Sequence, residues 1–138
     1  MAAKDLFHHA VKQALLKEQW VVTGDPLIIK IDRVKLEIDL AADKVVAADR
    51  EGQKIAVEIK SFLNPSAITD FHAALGQFLN YRLGLQMTES DRPLYLAVPI
   101  DTYNTFFQQR FIQEAVKIYQ VKLLVYDPIK EEIAEWKD

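Results

Sequence analysis

The sequence predicts an α/β fold in which a mixed β-sheet carries helices on both faces. Three observations lead there. The hydrophobic periodicity runs helix, several strands, helix, strand, helix, strand. Two late strands, "PLYLAVPI" and "VKLLVYD", are apolar on both sides, as central strands covered by two layers are. Each of these strands follows a helix. That connection is a crossover, and crossovers join parallel strands.

Taken in order, the first segment places Leu6/Phe7, Ala10/Val11 and Ala14/Leu15 at helical spacing, one buried stripe. "WVVTGDPLIIKI" gives two short β-branched runs around a Thr-Gly-Asp-Pro turn. In "RVKLEIDLA" the residues Val34, Leu36, Ile38 and Leu40 alternate with Lys35, Glu37 and Asp39, so one strand with two unlike faces is predicted. "KVVAADREGQKIAVEIK" reads as two strands joined by a hairpin at Arg50-Glu51-Gly52. These early strands pair antiparallel through hairpins. A helix follows Asn64-Pro65, with Ser66 as N-cap and Ile68, Phe71, Leu75, Phe78 and Leu79 as its buried stripe. "DTYNTFFQQRFIQEAVKIY" is predicted as one further helix, opened by Asp101 or Thr102, and "EEIAEWKD" as an edge strand.

The chain of 138 residues suits one compact domain, residues 1–138, and half of those residues are hydrophobic. It has no cysteine, which excludes disulfide frameworks, thiolate metal sites and cysteine nucleophiles. The N-terminal stretch lacks the apolar run of a signal peptide, and no segment reaches the ~20 apolar residues of a membrane span. A cytoplasmic protein without membrane attachment is expected. A net charge of −3 argues against coating nucleic acid by charge alone. It is compatible with an enzyme acting on nucleic acid, whose site needs carboxylates of its own. Four glycines, none at phosphate-loop spacing, exclude a nucleotide-binding glycine loop.

The chemistry gathers on "KIAVEIKSF". Alternation puts Ile55, Val57 and Ile59 on one face and Ala56, Glu58, Lys60 and Phe62 on the other. Glu58 and Lys60 therefore point the same way, ~6.6 Å apart at ~3.3 Å per residue. The preceding strand offers Asp39 and Asp43. If the turn centres on Glu51-Gly52, Asp43 lies near Lys60. Asp39 is preferred, because it closes the alternating strand. Two carboxylates ~4 Å apart repel by about 4 kcal/mol at an effective dielectric of 20, so a cation or a proton belongs between them. Carboxylates on neighbouring strands hold a hard cation such as Mg²⁺, which polarises a phosphate and supplies a water nucleophile. Lys60 would orient that water or offset charge on the phosphate. Gln77 and Tyr81 stand one turn apart on the next helix, on one face.

The pattern Asp39…Glu58-Ile59-Lys60 resembles the PD-(D/E)xK nucleases of restriction-endonuclease-like fold. Gln77-x-x-x-Tyr81 is similar to the Gln/Tyr motif of the RecB-type branch. Over almost the whole chain, "AKDLFHHAVKQALLKEQW", "DLAADKVVAADREGQKIAVEIKSF", "ALGQFLNYR" and "PLYLAVP" are similar to the XisH family, named for the fdxN element excision controlling factor. The resemblance implies a restriction-endonuclease-like sheet with an αβββαβ core. It implies a role in programmed excision of a DNA element, beside a site-specific recombinase and a small partner, XisI. It makes Asp39 and Glu58 ligands of Mg²⁺ or Mn²⁺ and Lys60 the catalytic lysine. Gln77 would support the site, and Lys60, Gln77 and Tyr81 would touch nucleic acid. No proline precedes Asp39, where Glu37-Ile38 stand, and Asp43 remains the alternative ligand. A homodimer is expected if both DNA strands are cut. The alternatives are a non-catalytic accessory that binds DNA or the partner, or a nuclease effector held in check by the small partner.

The remaining chemistry-bearing residues are read as structural. His8, His9 and His72 belong to helix surfaces, and Glu18 is solvated at a helix end. Phe106, Phe107 and Phe111 are core, and Trp20 and Trp136 pack at element ends.

Overall fold

The computed structural model describes residues 3–44 and 52–138. Helix α1 (Ala3–Lys17) is followed by β1 (Val21–Gly24), β2 (Leu27–Ile31), β3 (Val34–Ile38), β4 (Leu40–Lys44) and β5 (Gln53–Ile59). The long helix α2 (Ala67–Thr88) leads to β6 (Leu94–Pro99), and α3 (Ile100–Thr105) and α4 (Arg110–Ile118) lead to β7 (Leu123–Asp127) and β8 (Glu132–Lys137). Six strands form one sheet in the order β1-β4-β5-β6-β7-β8. Its β5–β6 and β6–β7 pairs are parallel and the other three antiparallel. The expected mixed sheet is present, and both parallel pairs arise across helical crossovers.

Helices cover both faces. On one, Ala10, Val11 and Leu15 of α1 pack against Leu40, Ala42, Ile55, Val57, Ala97, Leu124 and Tyr126. On the other, Phe71, Ala74, Phe78 and Leu85 of α2, with Ile112 and Ala115 of α4, pack against Ala56, Leu94, Leu96, Val98, Leu123 and Val125. The alternation read in β5 therefore holds. Strand β6 is buried along its whole length. Each fully buried Leu, Val or Phe in these layers contributes about 1.5–3 kcal/mol of transfer free energy.

Several expectations need correction. The stretch from Val34 to Leu40 is not one strand. It bends at Asp39, so Ile38 packs on the α2 face and Leu40 on the α1 face despite their equal parity. Strands β2 and β3 leave the main sheet and form a separate hairpin, with Leu27 opposite Ile38 and Ile31 opposite Val34. This hairpin lies against α2, where a Cβ on Gly84 would stand 2.6 Å from Leu36 Cδ1. Glycine there lets the hairpin approach the helix.

The helix expected from Asp101 is broken. It begins at Ile100, winds into a 3₁₀ turn over Phe106–Gln108, and restarts after Gln109, whose backbone is extended. Phe106 and Phe107 are both buried against Phe71. Adjacent residues on a regular α-helix diverge by ~100°, and the tighter turn lets both rings reach the core. The restart resets the phase, and Phe111, expected in the core, is 71% exposed. In α2 the buried stripe is Phe71, Ala74, Phe78 and Leu85, while Ile68 is 37% exposed. Ser66 holds the N-cap position without a side-chain bond to the helix backbone, and its hydroxyl accepts from Thr69 Oγ1 at 2.9 Å. Trp20 and Trp136 pack together, with ring centroids 5.9 Å apart, and β8 is the expected edge strand.

Candidate functional site

The pairing of β4 with β5 decides which aspartate meets Glu58. Leu40 lies opposite Val57 and Asp43 opposite Lys54. One step beyond the first pair, Asp39 faces Glu58. The expected register, with Asp43 near Lys60, is out by several residues; its turn falls almost wholly on residues 45–51, outside those described. At the Asp39 bend the regular ladder gives way to two bonds between side chain and backbone. The Asp39 N–H donates to Glu58 Oε1 at 3.1 Å, and the Ile59 N–H donates to Asp39 Oδ2 at 2.8 Å. Each carboxylate is thus aimed by the other residue's strand. Glu58 is 8% exposed, one of two charged residues buried among the described residues, while Asp39 is half-buried. An ionised carboxylate in such a position requires strong compensation, and charge-assisted N–H bonds provide part of it.

Lys60 lies just past the end of β5. Its backbone N–H still donates to Ala97 O at 3.0 Å, which extends the parallel ladder with β6. Its Nζ is 3.9 Å from Asp70 Oδ1, and both side chains are largely buried. Asp70 also accepts from the Asn64 N–H at 3.0 Å, which ties the loop to the first turn of α2. Between them the chain turns at Phe62, whose φ of 56° is the left-handed region that costs a non-glycine residue about 1–2 kcal/mol. Its ring packs against Phe106 and Phe107, which secures the turn.

Tyr81 of α2 comes to the same end of the sheet. Burial raises its phenol above the ordinary range, and the charges of Glu58, Asp39 and Glu37 raise it further. Gln77, one turn earlier, is exposed. Asp39, Glu58, Lys60 and Tyr81 therefore gather at one place, with Gln77 on the rim of the helix that carries Tyr81.

Asp43 stands elsewhere. Its Oδ1 accepts from Arg92 Nη1 at 2.9 Å, and Arg92 also donates to Ile55 O at 3.0 Å. The Arg92 side chain is only 7% exposed, and Glu89 flanks it. Asp25 accepts from His8 and Lys12, at 2.7 and 2.9 Å, and fastens α1 to the β1–β2 turn. His9 lies 3.4 Å from Glu131, and His72 is exposed. Glu18 is not simply solvated, because it accepts from the Trp136 indole at 3.2 Å. Sequence reading missed Asp70 and Arg92. The spacing of Asp70, in the first turn of the helix after Lys60, was available as a signal; nothing local marked Arg92.

Among the described residues, no three His, Asp or Glu side chains group so as to hold a metal. The pair Asp39 and Glu58 nevertheless suits one particular class of ion. Mg²⁺ keeps several waters and is held by one or two carboxylates together with substrate phosphates, whereas structural zinc needs a closed protein cage. No helix among the described residues is long and apolar enough to cross a membrane.

The family model described as "XisH protein" matches residues 1–134. No curated protein matches the chain. The chain is similar to an XisH family protein of Nostoc punctiforme PCC 73102, with 50% identity, a TM-score of 0.88, and coverage of 97% of this chain and 100% of that one. It is also similar to an fdxN element excision controlling factor protein of Anabaena variabilis, with 52% identity, a TM-score of 0.87, and coverage of 97% and 99%. A match of this extent, over the strands and helices that build the carboxylate site, means that the chain belongs to the XisH family.

Proposed function

We propose that this protein controls excision of a DNA element and does so as a Mg²⁺- or Mn²⁺-dependent DNA endonuclease of the PD-(D/E)xK type. The observation that carries the reading is the reciprocal bonding of Asp39 and Glu58 at the end of β4 and β5, with Lys60 two residues on. The element order supports it. Helix α1, the antiparallel strands β1, β4 and β5, α2, and β6 added in parallel are compatible with the αβββαβ core of restriction endonucleases, with the β2–β3 hairpin inserted between β1 and β4. A divalent ion held by Asp39 and Glu58 would polarise the scissile phosphate and lower the pKa of an attacking water. Lys60 would orient that water or meet charge on the phosphate, and Tyr81 and Gln77 would touch the DNA backbone. The DNA itself, the XisI-like partner, a recombinase and a second copy of the chain are the partners this role implies.

The test is incubation with supercoiled plasmid and Mg²⁺ or Mn²⁺. Nicked or linear product is expected, and Glu58→Gln and Lys60→Ala should each abolish it. Cleavage that survives both substitutions would sink the assignment. A second reading, a non-catalytic accessory, is favoured by one contact: Lys60 leans toward Asp70. Wild-type excision in cells carrying Glu58→Gln would support that reading. Loss of excision with folding and partner binding intact would exclude it.

A further inference from the structure

A cavity of about 900 Å³ opens on the α2 face at the start of β6 and β7, away from the carboxylates at the end of β5. Its volume falls within the ~300–1,000 Å³ of small-molecule sites. One helix serves both places. Gln77 and Tyr81 lie on one stripe of α2, while Phe78, Arg82, Leu85 and Gln86 form the neighbouring stripe that walls the cavity.

Charge in this cavity runs against the charge of the chain. The chain carries −3 overall, yet five Lys and Arg side chains line the cavity against the single carboxylate of Asp138. Two of the five are already engaged, Arg92 with Asp43 and Lys137 with Glu135. Lys122 directs its ammonium to the Tyr95 ring, 5.9 Å from the centroid, on the α1 face, and Arg82 and Lys117 have no carboxylate partner among the described residues. Arg82 is held in place. Its Nη1 donates to Tyr119 O and Gln120 O at 2.9 and 2.8 Å, and its guanidinium lies 5.3 Å from the Phe78 ring. Five N–H donors in a rigid fork leave others for a phosphate, which such a fork fits. The wall beside it carries Tyr103, whose ring stacks on the buried Phe107 with centroids 6.4 Å apart and planes at 23°. Gln86 and Gln113 add amides able both to donate and to accept.

The geometry points to a second ligand site, one that takes a nucleoside phosphate, with the phosphate on Arg82 and Lys117 and the base against Tyr103 and the glutamine amides. A fatty acid would leave the amides unused, and a simple anion would leave the aromatic wall unused. The moiety can belong to a free nucleotide or to the end of a DNA strand. The site stands whether or not the carboxylates cleave DNA.

Binding is measured by calorimetry in EDTA, on the full chain, with dAMP, a 5′-phosphorylated single-stranded oligonucleotide, and inorganic phosphate as probes. Saturable binding of dAMP is expected, weakened about tenfold or more by Lys117→Glu. Lys130→Glu, in the turn at the far end of β7, should leave it unchanged. If Lys117→Glu does not fold, Lys117→Gln carries the test, with a loss of about threefold. Binding of the oligonucleotide alone, weakened by the same substitutions, assigns the moiety to a strand end. Three results overturn the proposal: no binding of either nucleotide probe at millimolar concentration, binding indifferent to substitution of Lys117, or inorganic phosphate bound as tightly as dAMP.

Discussion

Asp39 and Asp43 stand four residues apart on either end of β4, and the fold treats them oppositely. Asp39 lies at a bend, takes a backbone N–H from the neighbouring strand, and gives its own N–H to a buried glutamate. Asp43 lies in regular ladder, and its carboxylate neutralises a buried arginine that also donates to a strand carbonyl. Both are aspartates near a carboxylate-rich strand, yet only Asp39 is positioned beside Glu58. The difference is set by register. A shift in the β4–β5 pairing would exchange their surroundings, because every residue of one strand would meet a new partner on the other.

The largest expected consequence is catalytic. Asp39→Asn and Glu58→Gln each lower metal-dependent plasmid cleavage by about a hundredfold or more, as loss of a group that serves the transition state does. Asp43→Asn should leave cleavage within about twofold, since its partner is Arg92 and it pairs opposite Lys54, away from Glu58. Initial rates of nicking measured side by side decide this. Equal losses at the two aspartates would mean that Asp43 serves the site as much as Asp39 does, and that register does not separate them.

Much of this arrangement is readable before folding. Alternation alone puts Glu58 and Lys60 on one face of β5, and both-sided hydrophobicity marks β6 and β7 as central. Asp39 is singled out because it ends the alternating stretch. The stretch ends for a reason that alternation does not show: the chain bends there, and Ile38 and Leu40 go to opposite faces of the sheet. The pairing of Asp43 was misjudged because register depends on the turn, and the sequence from Lys44 to Gln53 offers several places to turn. Arg92 has no local signal at all. Its role arises from β4 and β5 coming together some forty residues earlier in the chain. The break at Phe106–Gln108 was likewise hidden, since it follows from two adjacent rings sharing one core and not from a proline or glycine.

Next in size is stability. Arg92→Ala strips the buried carbonyl of Ile55 and the carboxylate of Asp43 of their donor. Leaving such groups unsatisfied costs about 1–3 kcal/mol, visible as a lower urea midpoint with an unchanged m-value. Asp43→Asn should cost less, about 0.5–1 kcal/mol, because its side chain is 41% exposed and an amide oxygen can still accept from Arg92. Asp39→Asn tests the contrast from the other side, since its Oδ2 accepts only a neutral backbone N–H. A larger loss of stability at Asp43 than at Asp39, paired with a larger loss of cleavage at Asp39, is the expected crossing pattern.

The smallest effect is a titration, and it reads the site without any substrate. Tyr81 ionises above the ordinary phenol range, first because it is partly buried and then because the Glu58 and Asp39 carboxylates oppose a further negative charge. Removing either charge leaves the burial contribution and removes part of the electrostatic one, so Glu58→Gln and Asp39→Asn should each move the Tyr81 pKa down, toward 10. Asp43→Asn, at the far end of the strand, should leave it in place. A cation held between Asp39 and Glu58 should act in the same downward direction, because it offsets the same two charges. Difference ultraviolet titration against Tyr81→Phe isolates this one phenol among the five tyrosines. A downward shift with Mg²⁺ in the wild type that disappears in Glu58→Gln would show the ion at the carboxylates even where no DNA is cut. A shift of equal size in Asp43→Asn would place the charge felt by Tyr81 at the wrong end of β4.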